Sequence, residues 1–224
     1  ELKNPLTSLR SAVETLPLAK TDTSRTRLLE VIQHDVKRLD RLITDISDAS
    51  RLDAELQRQE STRVDLSRLL GTIATIANEV RKDGDVPVRL AFEGGKAADF
   101  AVPGHDSRIS QVFTNLIDNA RSFSPPTGEV RVTARKLKGA IEITVDDDGP
   151  GIREDALQRI FERFYTDRPH QDYGQNSGLG LSISKQIIEA HGGSIWAENR
   201  AGPPGPDGEP TVRGARFVVR LPAA

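Results

Sequence analysis

Three short segments between residues 106 and 193 carry residue types whose spacing could do chemistry. In Asn115-Leu116-Ile117-Asp118-Asn119-Ala120 two carboxamides stand four apart. On a helix that spacing puts both on one face, one turn from each other. Carboxamide oxygens are hard, neutral ligands suited to Mg²⁺, which keeps several waters and shares nucleotide phosphates. Alone, such a pair equally caps or solvates a helix. In Val145-Asp146-Asp147-Asp148-Gly149-Pro150-Gly151 a strand pattern runs into three acids and a Gly-Pro-Gly turn. An acid at the strand end could enter a pocket and accept a hydrogen bond from an exocyclic amine, and the glycines let a ligand approach the backbone. Three carboxylates also raise a metal site as a rival, and a bland turn as another. In Ser177-Gly178-Leu179-Gly180-Leu181-Ser182 a Gly-rich loop opens directly into a helix. Free backbone N–H groups and the helix dipole there suit a phosphate.

Composition bounds the elements that must position these groups. The chain has 224 residues, enough for one or two domains at about 150 residues each. Aromatics are 4%, so the core must be mostly Leu, Ile, Val and Ala. Lys and Arg number 31 against 33 Asp and Glu, so no general attraction to nucleic acid or an anionic membrane is expected. There is no Cys, which excludes disulfides, thiolate metal sites, iron–sulfur clusters and cysteine nucleophiles. No apolar run approaches ~18 residues, so no membrane-spanning helix is expected. The sequence opens at Glu1 inside a helical pattern, without an initiator Met or a signal peptide, and is expected to be part of a longer protein.

Residues 1–58 read as an all-α helical hairpin. Leu2, Leu6, Leu9, Val13 and Leu16 step by four and three, and Leu29, Ile32, Val36, Leu39, Ile43 and Ile46 repeat the heptad seam. Pro17 to Ser24 separates the helices, with Thr21, Asp22, Thr23 and Ser24 as turn and cap candidates. Two helices enclose no core alone, so a second hairpin is expected, making a four-helix bundle across a homodimer. By spacing alone, a coiled-coil connector is the alternative. Residues 59–64 are polar and predict a linker. Residues 65–224 read as α+β. Helices are predicted over Leu66–Val80, Asp106–Phe123, Leu179–Ala190 and, briefly, Arg153–Phe161. Strands are predicted over Val88–Phe92, Phe100–Val102, Glu129–Leu137, Ala140–Asp146, Ser194–Ala197 and Ala215–Leu221. Asp167–Ser177 and Gly202–Gly208 read as loops. The expected arrangement is helices on one face of a largely antiparallel or mixed sheet.

The ordered set of segments resembles the ATP-binding catalytic domain of sensor histidine kinases. Asn115–Ala120 is similar to the N-box, Asp147–Gly151 to the G1 box, Phe161-Glu162-Arg163-Phe164-Tyr165 to the F-box and Ser177–Leu181 to the G2 box, and His191-Gly192-Gly193 matches the closing HGG. Glu1-Leu2-Lys3-Asn4-Pro5-Leu6-Thr7 resembles the H-box, whose phosphoacceptor histidine would immediately precede Glu1. The likeness runs through both halves of the chain in order. It implies a dimerisation and phosphotransfer hairpin followed by an α+β sandwich of the histidine-kinase/Hsp90-like ATPase (Bergerat) type. It implies ATP and Mg²⁺ as cofactors. Asp147 would read the adenine amino group, and Asn119, with Asn115 one turn earlier, would hold Mg²⁺. Gly149, Gly151, Gly178 and Gly180 would admit the nucleotide to the backbone. Residues 165–177 would form a lid, with Tyr165, Arg168, Ser177 and Leu179 toward the nucleotide. Glu1 would orient or deprotonate the acceptor imidazole, and Asn4 would place a water for dephosphorylating a response regulator, with Pro5 bending the helix. The implied partners are a second copy through residues 1–58 and a response-regulator receiver domain docking on the hairpin. The implied location is the cytoplasmic side of an inner-membrane protein anchored by upstream segments.

Some positions depart from that pattern. Ser122 stands where a phosphate-directed Lys or Arg is usual, with Arg121 one place off. Thr166 replaces a basic residue that Arg168 could supply, Asn176 replaces a glycine, and Asp148 replaces an Asn. Those departures keep a degenerate, nucleotide-binding dimeric scaffold in view, beside another ATPase of the same fold. His34 with Asp35 is a tempting second acceptor, but His34 lies off the apolar stripe and predicts a solvated face. His191 is expected to favour its helix C-terminus through the dipole. His105 and His170 are expected in loops, Trp196 in packing, and Arg63 and Lys82 on solvated surface.

Overall fold

The computed structural model describes the chain apart from residues 1–2, 59–60, 81–84, 166–177, 205–206, 208 and 210, and leaves aside the side chains of residues 3–4, 38, 41–42, 45–46 and 48–58. Helix α1 spans Lys3–Thr15, and α2 spans Asp22–Arg58. Pro17 sits in the first turn of a 3₁₀ segment, Leu16–Leu18, where its missing N–H costs nothing. Thr21 accepts the Ser24 N–H at 3.2 Å, which caps the start of α2. The less exposed positions include Pro5, Leu9 and Ala12 on α1, Leu16 just after it, and Leu28, Ile32, Asp35 and Leu39 on α2. Each stripe steps by four and three, the seam of the hairpin. One residue further round, Leu6, Val13, Leu29, Val36 and Ile43 form a second apolar stripe that is exposed.

The rest of the chain is a two-layer sandwich. Strands β1 (Thr62–Asp65) and β3 (Ala101–Gly104) pair antiparallel. The main sheet contains β2 (Val88–Glu93), β4 (Val130–Leu137), β5 (Ala140–Asp146), β6 (Ser194–Ala201) and β7 (Val212–Pro222), in the order β2-β4-β5-β7-β6. Only β2 and β4 are parallel; the other neighbours are antiparallel. The expectation of a mixed sheet is met. Period-two alternation turns Val130, Val132 and Ala134, and Ile141, Ile143 and Val145, to one face. Helices α3 (Leu66–Glu79), α4 (Asp106–Phe123) and α5 (Gly180–Ala190) supply Leu66, Leu70, Ile109, Phe113, Leu116 and Ile187 to the same core. Asp65 caps α3, its Oδ1 accepting the N–H groups of Ser67 at 2.9 Å and Arg68 at 3.1 Å.

Three expectations are corrected. Thr62 to Val64, predicted as linker, are strand: Val64 is the one apolar residue of β1, a signal too short to see before β3 is known to pair with it. Arg153–Phe161 is not one helix but two 3₁₀ turns, Glu154–Ala156 and Arg159–Phe161. Strand β6 runs on through Glu198, Asn199 and Arg200, because pairing with β7 overrides the weak β-propensity of those polar residues.

Candidate nucleotide site

Helix α4 carries the site. Its Asn115 Nδ2 donates to the Gly180 carbonyl at 3.4 Å, which ties the carboxamide face of α4 to the start of α5. Asn119 lies one turn further along the same face. At the other end of α4, a Cβ placed on Gly149 would come within 2.9 Å of the Phe123 carbonyl, so the Gly-Pro-Gly turn is pressed against the helix C-terminus. Among the described residues no cluster of three or more His, Cys, Asp or Glu could hold a metal. The donors that fit Mg²⁺ are the two carboxamides: with Asn115 Nδ2 engaged by Gly180, its amide oxygen is the atom left to offer.

Asp147 directly follows the last residue of β5. It is 2% exposed. Its Oδ1 accepts two backbone N–H groups, Gly149 at 2.9 Å and Ala215 at 3.0 Å. Its own N–H donates to the Ala215 carbonyl at 3.0 Å. That leaves Oδ2 as the oxygen for a ligand. Burial pushes the Asp147 carboxyl up from its ordinary value, against the two backbone N–H groups and the Arg200 charge, which pull it down.

The neighbouring acids are occupied otherwise, and the rival metal reading of the three carboxylates is overturned. Asp146 forms a bidentate pair with Arg216, at 2.7 Å for both contacts. Asp148 accepts from Arg131 at 2.7 Å, Arg200 at 2.9 Å and the Glu129 N–H at 3.1 Å. Burial pushes Asp148 up, but the guanidinium hydrogen bonds outweigh it and hold the carboxyl well below the usual carboxylate range.

The Gly-rich segment closes on the aromatic one. The Phe164 N–H donates to the Gly178 carbonyl at 2.9 Å. Phe164 adopts φ +64° and Gly178 φ +69°, and a Cβ on Gly178 would meet the Phe164 backbone at 3.0 Å. Tyr165 lies under the Arg159 guanidinium, 4.7 Å from its ring centroid. Helix α5 has no acid in its first turn, so its N-terminus suits an anion. Gly151, at φ +81°, leaves room where a Cβ would strike Asn199 and Val212. Arg168, Ser177, Thr166 and Asn176 lie outside the described residues, as does Glu1. Asn4 is on α1 with no side chain described.

The sequence reading missed the frame of the site. Asn199 clamps the turn after Gly151, accepting from the Ile152 N–H at 2.7 Å and donating to its carbonyl at 2.6 Å. Arg131, Arg200 and Arg216 balance the three acids. Gly214 has no room for a Cβ, which would collide with the Asp147 carbonyl. A glycine and arginines at strand positions were the available signals. Of the departures, Arg121 turns to Asp85 at 3.1 Å, and the Ser122 hydroxyl donates to the Asn119 carbonyl at 2.7 Å. His191 is also corrected: it is not a dipole-favoured cation. Its Nδ1 is 2.7 Å from the Ile187 carbonyl, and its Nε2 accepts the His105 N–H at 3.1 Å, so the neutral ring bridges α5 to the start of α4. Burial lowers its pKa, opposed by Ile187 and assisted by His105. His34 is exposed as expected, with Nδ1 3.6 Å from Asp35. Trp196 packs under the Arg220 guanidinium at 5.4 Å.

Two family models match the chain. "Histidine kinase-, DNA gyrase B-, and HSP90-like ATPase" matches residues 104–224, and "His Kinase A (phospho-acceptor) domain" matches residues 1–55. The Sensor protein ChvG of Rhizobium meliloti (strain 1021) is 56% identical over the whole of this chain. The chain belongs to the sensor histidine kinases. It spans 39% of the length of that relative. The catalytic domain of histidine kinase ThkA is 27% identical, covers 73% of this histidine kinase and is itself covered to 97%, with a TM-score of 0.58. Full-length ShkA, solved in complex with AMPPNP, is 25% identical over 98% of this chain and 43% of its own, with a TM-score of 0.68. The fold class is therefore a phosphoacceptor-type helical hairpin followed by an ATPase α/β sandwich.

Proposed function

We propose that this histidine kinase binds Mg-ATP between α4 and α5, transfers the γ-phosphoryl to a histidine directly before Glu1, and passes it to an aspartate of a response-regulator receiver domain. The observation that carries the reading is Asp147: a buried carboxylate with one oxygen tied by two backbone N–H groups and the other left for an adenine amine. Asn119 and Asn115 would hold Mg²⁺, whose charge would offset that of the phosphates. Gly178, Leu179 and Gly180 present the α5 N-terminus to the phosphates, with Gly149 and Gly151 giving way to the base and Tyr165, Arg168 and Ser177 beside the nucleotide. Glu1 orients the acceptor imidazole, and Asn4 positions a water for phosphatase action on the regulator. The 1–58 hairpin, 59–64 linker and 65–224 catalytic domain divide the labour, with β1 beginning inside the linker. The exposed stripe from Leu6 to Ile43 pairs two copies into a four-helix bundle on which the receiver docks. The domains sit on the cytoplasmic side of a membrane-anchored parent. ShkA, solved with AMPPNP, supports the nucleotide assignment.

The test is to add one histidine before Glu1 and incubate both forms with γ-labelled ATP and Mg²⁺. Acid-labile, alkali-stable label on the extended chain alone is the expected result. No label on either form, despite measured ATP binding, overturns the transfer. It would leave the second reading, a nucleotide-binding scaffold. One observation favours that reading: Arg121 is committed to Asp85 and Ser122 to its own helix, so neither offers a cation to the phosphates.

A further inference from the structure

The guanidinium of Arg200 sits where the three acids at the end of β5 converge. Its Nη1 donates to the Asp147 main-chain carbonyl and, at 2.9 Å, to Asp148 Oδ1, and its Nε lies 3.5 Å from Asp146 Oδ2. The side chain is 11% exposed. Gly214 on the neighbouring strand supplies the space: a Cβ there would collide with the Asp147 carbonyl and lie 3.2 Å from Arg200 Nη1. Asp147 is thus held at every polar atom but one. Ala215 takes its N–H, Ala215 and Gly149 take Oδ1, and Arg200 takes its carbonyl. Among the described residues Arg200 is the cation whose charge pulls the Asp147 carboxyl down against its burial, while Arg131 spends its contacts on Asp148 and Glu129.

We propose that Arg200 is the positioning residue for base selection: it locks the main chain of Asp147 and pairs with the flanking carboxylates, so that Oδ2 stays fixed toward a purine 6-amino group. The inference rests on the nucleotide reading of Asp147. It makes Arg200 and Asp148 a matched pair. In this chain an acid stands at 148, and two arginines hold it. A purely structural Arg200 would support any nucleotide alike. A positioning Arg200 matters only to a base bearing the amine.

The experiment compares binding of Mg-ADP and of the diphosphate of purine riboside, which lacks the 6-amino group, by titration calorimetry on the full chain. Arg200→Leu is expected to weaken ADP about ten-fold or more, the scale of a charge-assisted hydrogen bond, while the des-amino analogue keeps its affinity. Arg200→Lys keeps the charge without the planar fork and is expected to fall between. Arg200→Leu with Asp148→Asn also removes the flanking carboxylate that would then rest on Arg131 alone, and is expected to recover part of the discrimination. If Arg200→Leu does not fold, Arg200→Lys carries the same ratio test. Equal weakening of both nucleotides, or unchanged discrimination, overturns the proposal. If the unsubstituted chain itself fails to prefer ADP over the analogue, the assignment of Asp147 falls instead, which separates the two failures.

Discussion

The hairpin and the sandwich solve the burial problem differently. In the sandwich, Phe100, Phe113, Leu116, Ile141 and Ile143 are wholly buried, and the core is closed by the chain's own sheet and helices. In the hairpin, Pro5 and Ala12 are the buried apolar residues among those described, while Val13, Val36 and Ile43 stand at 51%, 50% and 61% exposure. Its seam even buries Asp35, whose Oδ2 has no partner. The sandwich is complete as one copy; the hairpin is half of something. On the proposed function, the groups for nucleotide recognition stand on the self-sufficient part, and the phosphotransfer hairpin is the part with an apolar stripe left exposed.

Substitutions can break that comparison. The largest effect is expected from Phe113→Ala, which opens a cavity in the core between α4 and the sheet. A loss of about 3–5 kcal/mol is expected, measured by urea denaturation followed at Trp196, which lies on β6 and is the sole tryptophan. A loss under 1 kcal/mol would mean that the sandwich tolerates voids as a loose bundle does. Asp147→Asn should leave the fold intact but lower ADP affinity about a hundred-fold, since it replaces the ionised acceptor by a weaker one. Unchanged affinity would sink the base assignment. In the hairpin, Val36→Asp with Ile43→Asp should convert dimer to monomer in sedimentation while ADP affinity stays within about two-fold, or about 0.4 kcal/mol. Loss of ADP binding together with the dimer would show that the two regions are not independent. Asp65→Ala removes the α3 cap and should cost about 1 kcal/mol, again read at Trp196. No change would place β1, and not the cap, as the anchor of α3.

The parts of this molecule that local chemistry dictates were legible in the sequence. Helices α3, α4 and α5 follow from apolar periodicity with Asp65, Pro125 and Gly192 as punctuation, and β4 and β5 from strict alternation. The N-x-x-x-N pair, the G1 turn and the Gly-rich loop were visible because each is a short run doing one local job. What supports them was not. Arg200 and Asp148 meet across 52 residues, Asn199 and Ile152 across 47, and His105 and His191 across 86. No spacing rule reaches that far in one sequence. The polar end of β6 was hidden for the same reason: Asn199 and Arg200 belong to a strand because of β7 and the site, not because of their own propensity.

His191 offers the finest test of the contrast, since it joins two sandwich helices by a neutral ring. Its Nε2 accepts the His105 N–H at 3.1 Å, a bond that a protonated ring could not accept. Burial holds its pKa below the ordinary value of 6.5. The folded chain therefore binds less proton here than the unfolded chain as pH falls through 6.5. Stability from this contact is full above that value and is lost progressively below it, toward the depressed folded pKa. Asp147 has the opposite sign: its raised pKa makes the fold take up protons, and stability gains, as pH falls through the folded value. A single pH profile would mix the two. Comparing the unsubstituted chain with His191→Gln between pH 7 and 5, by urea denaturation at Trp196, cancels the Asp147 contribution and isolates the histidine. The unsubstituted chain is expected to lose more stability across that interval than the variant. Parallel profiles would mean that the ring titrates alike in the folded and unfolded chains and that its bridge between α5 and α4 does not favour the neutral form.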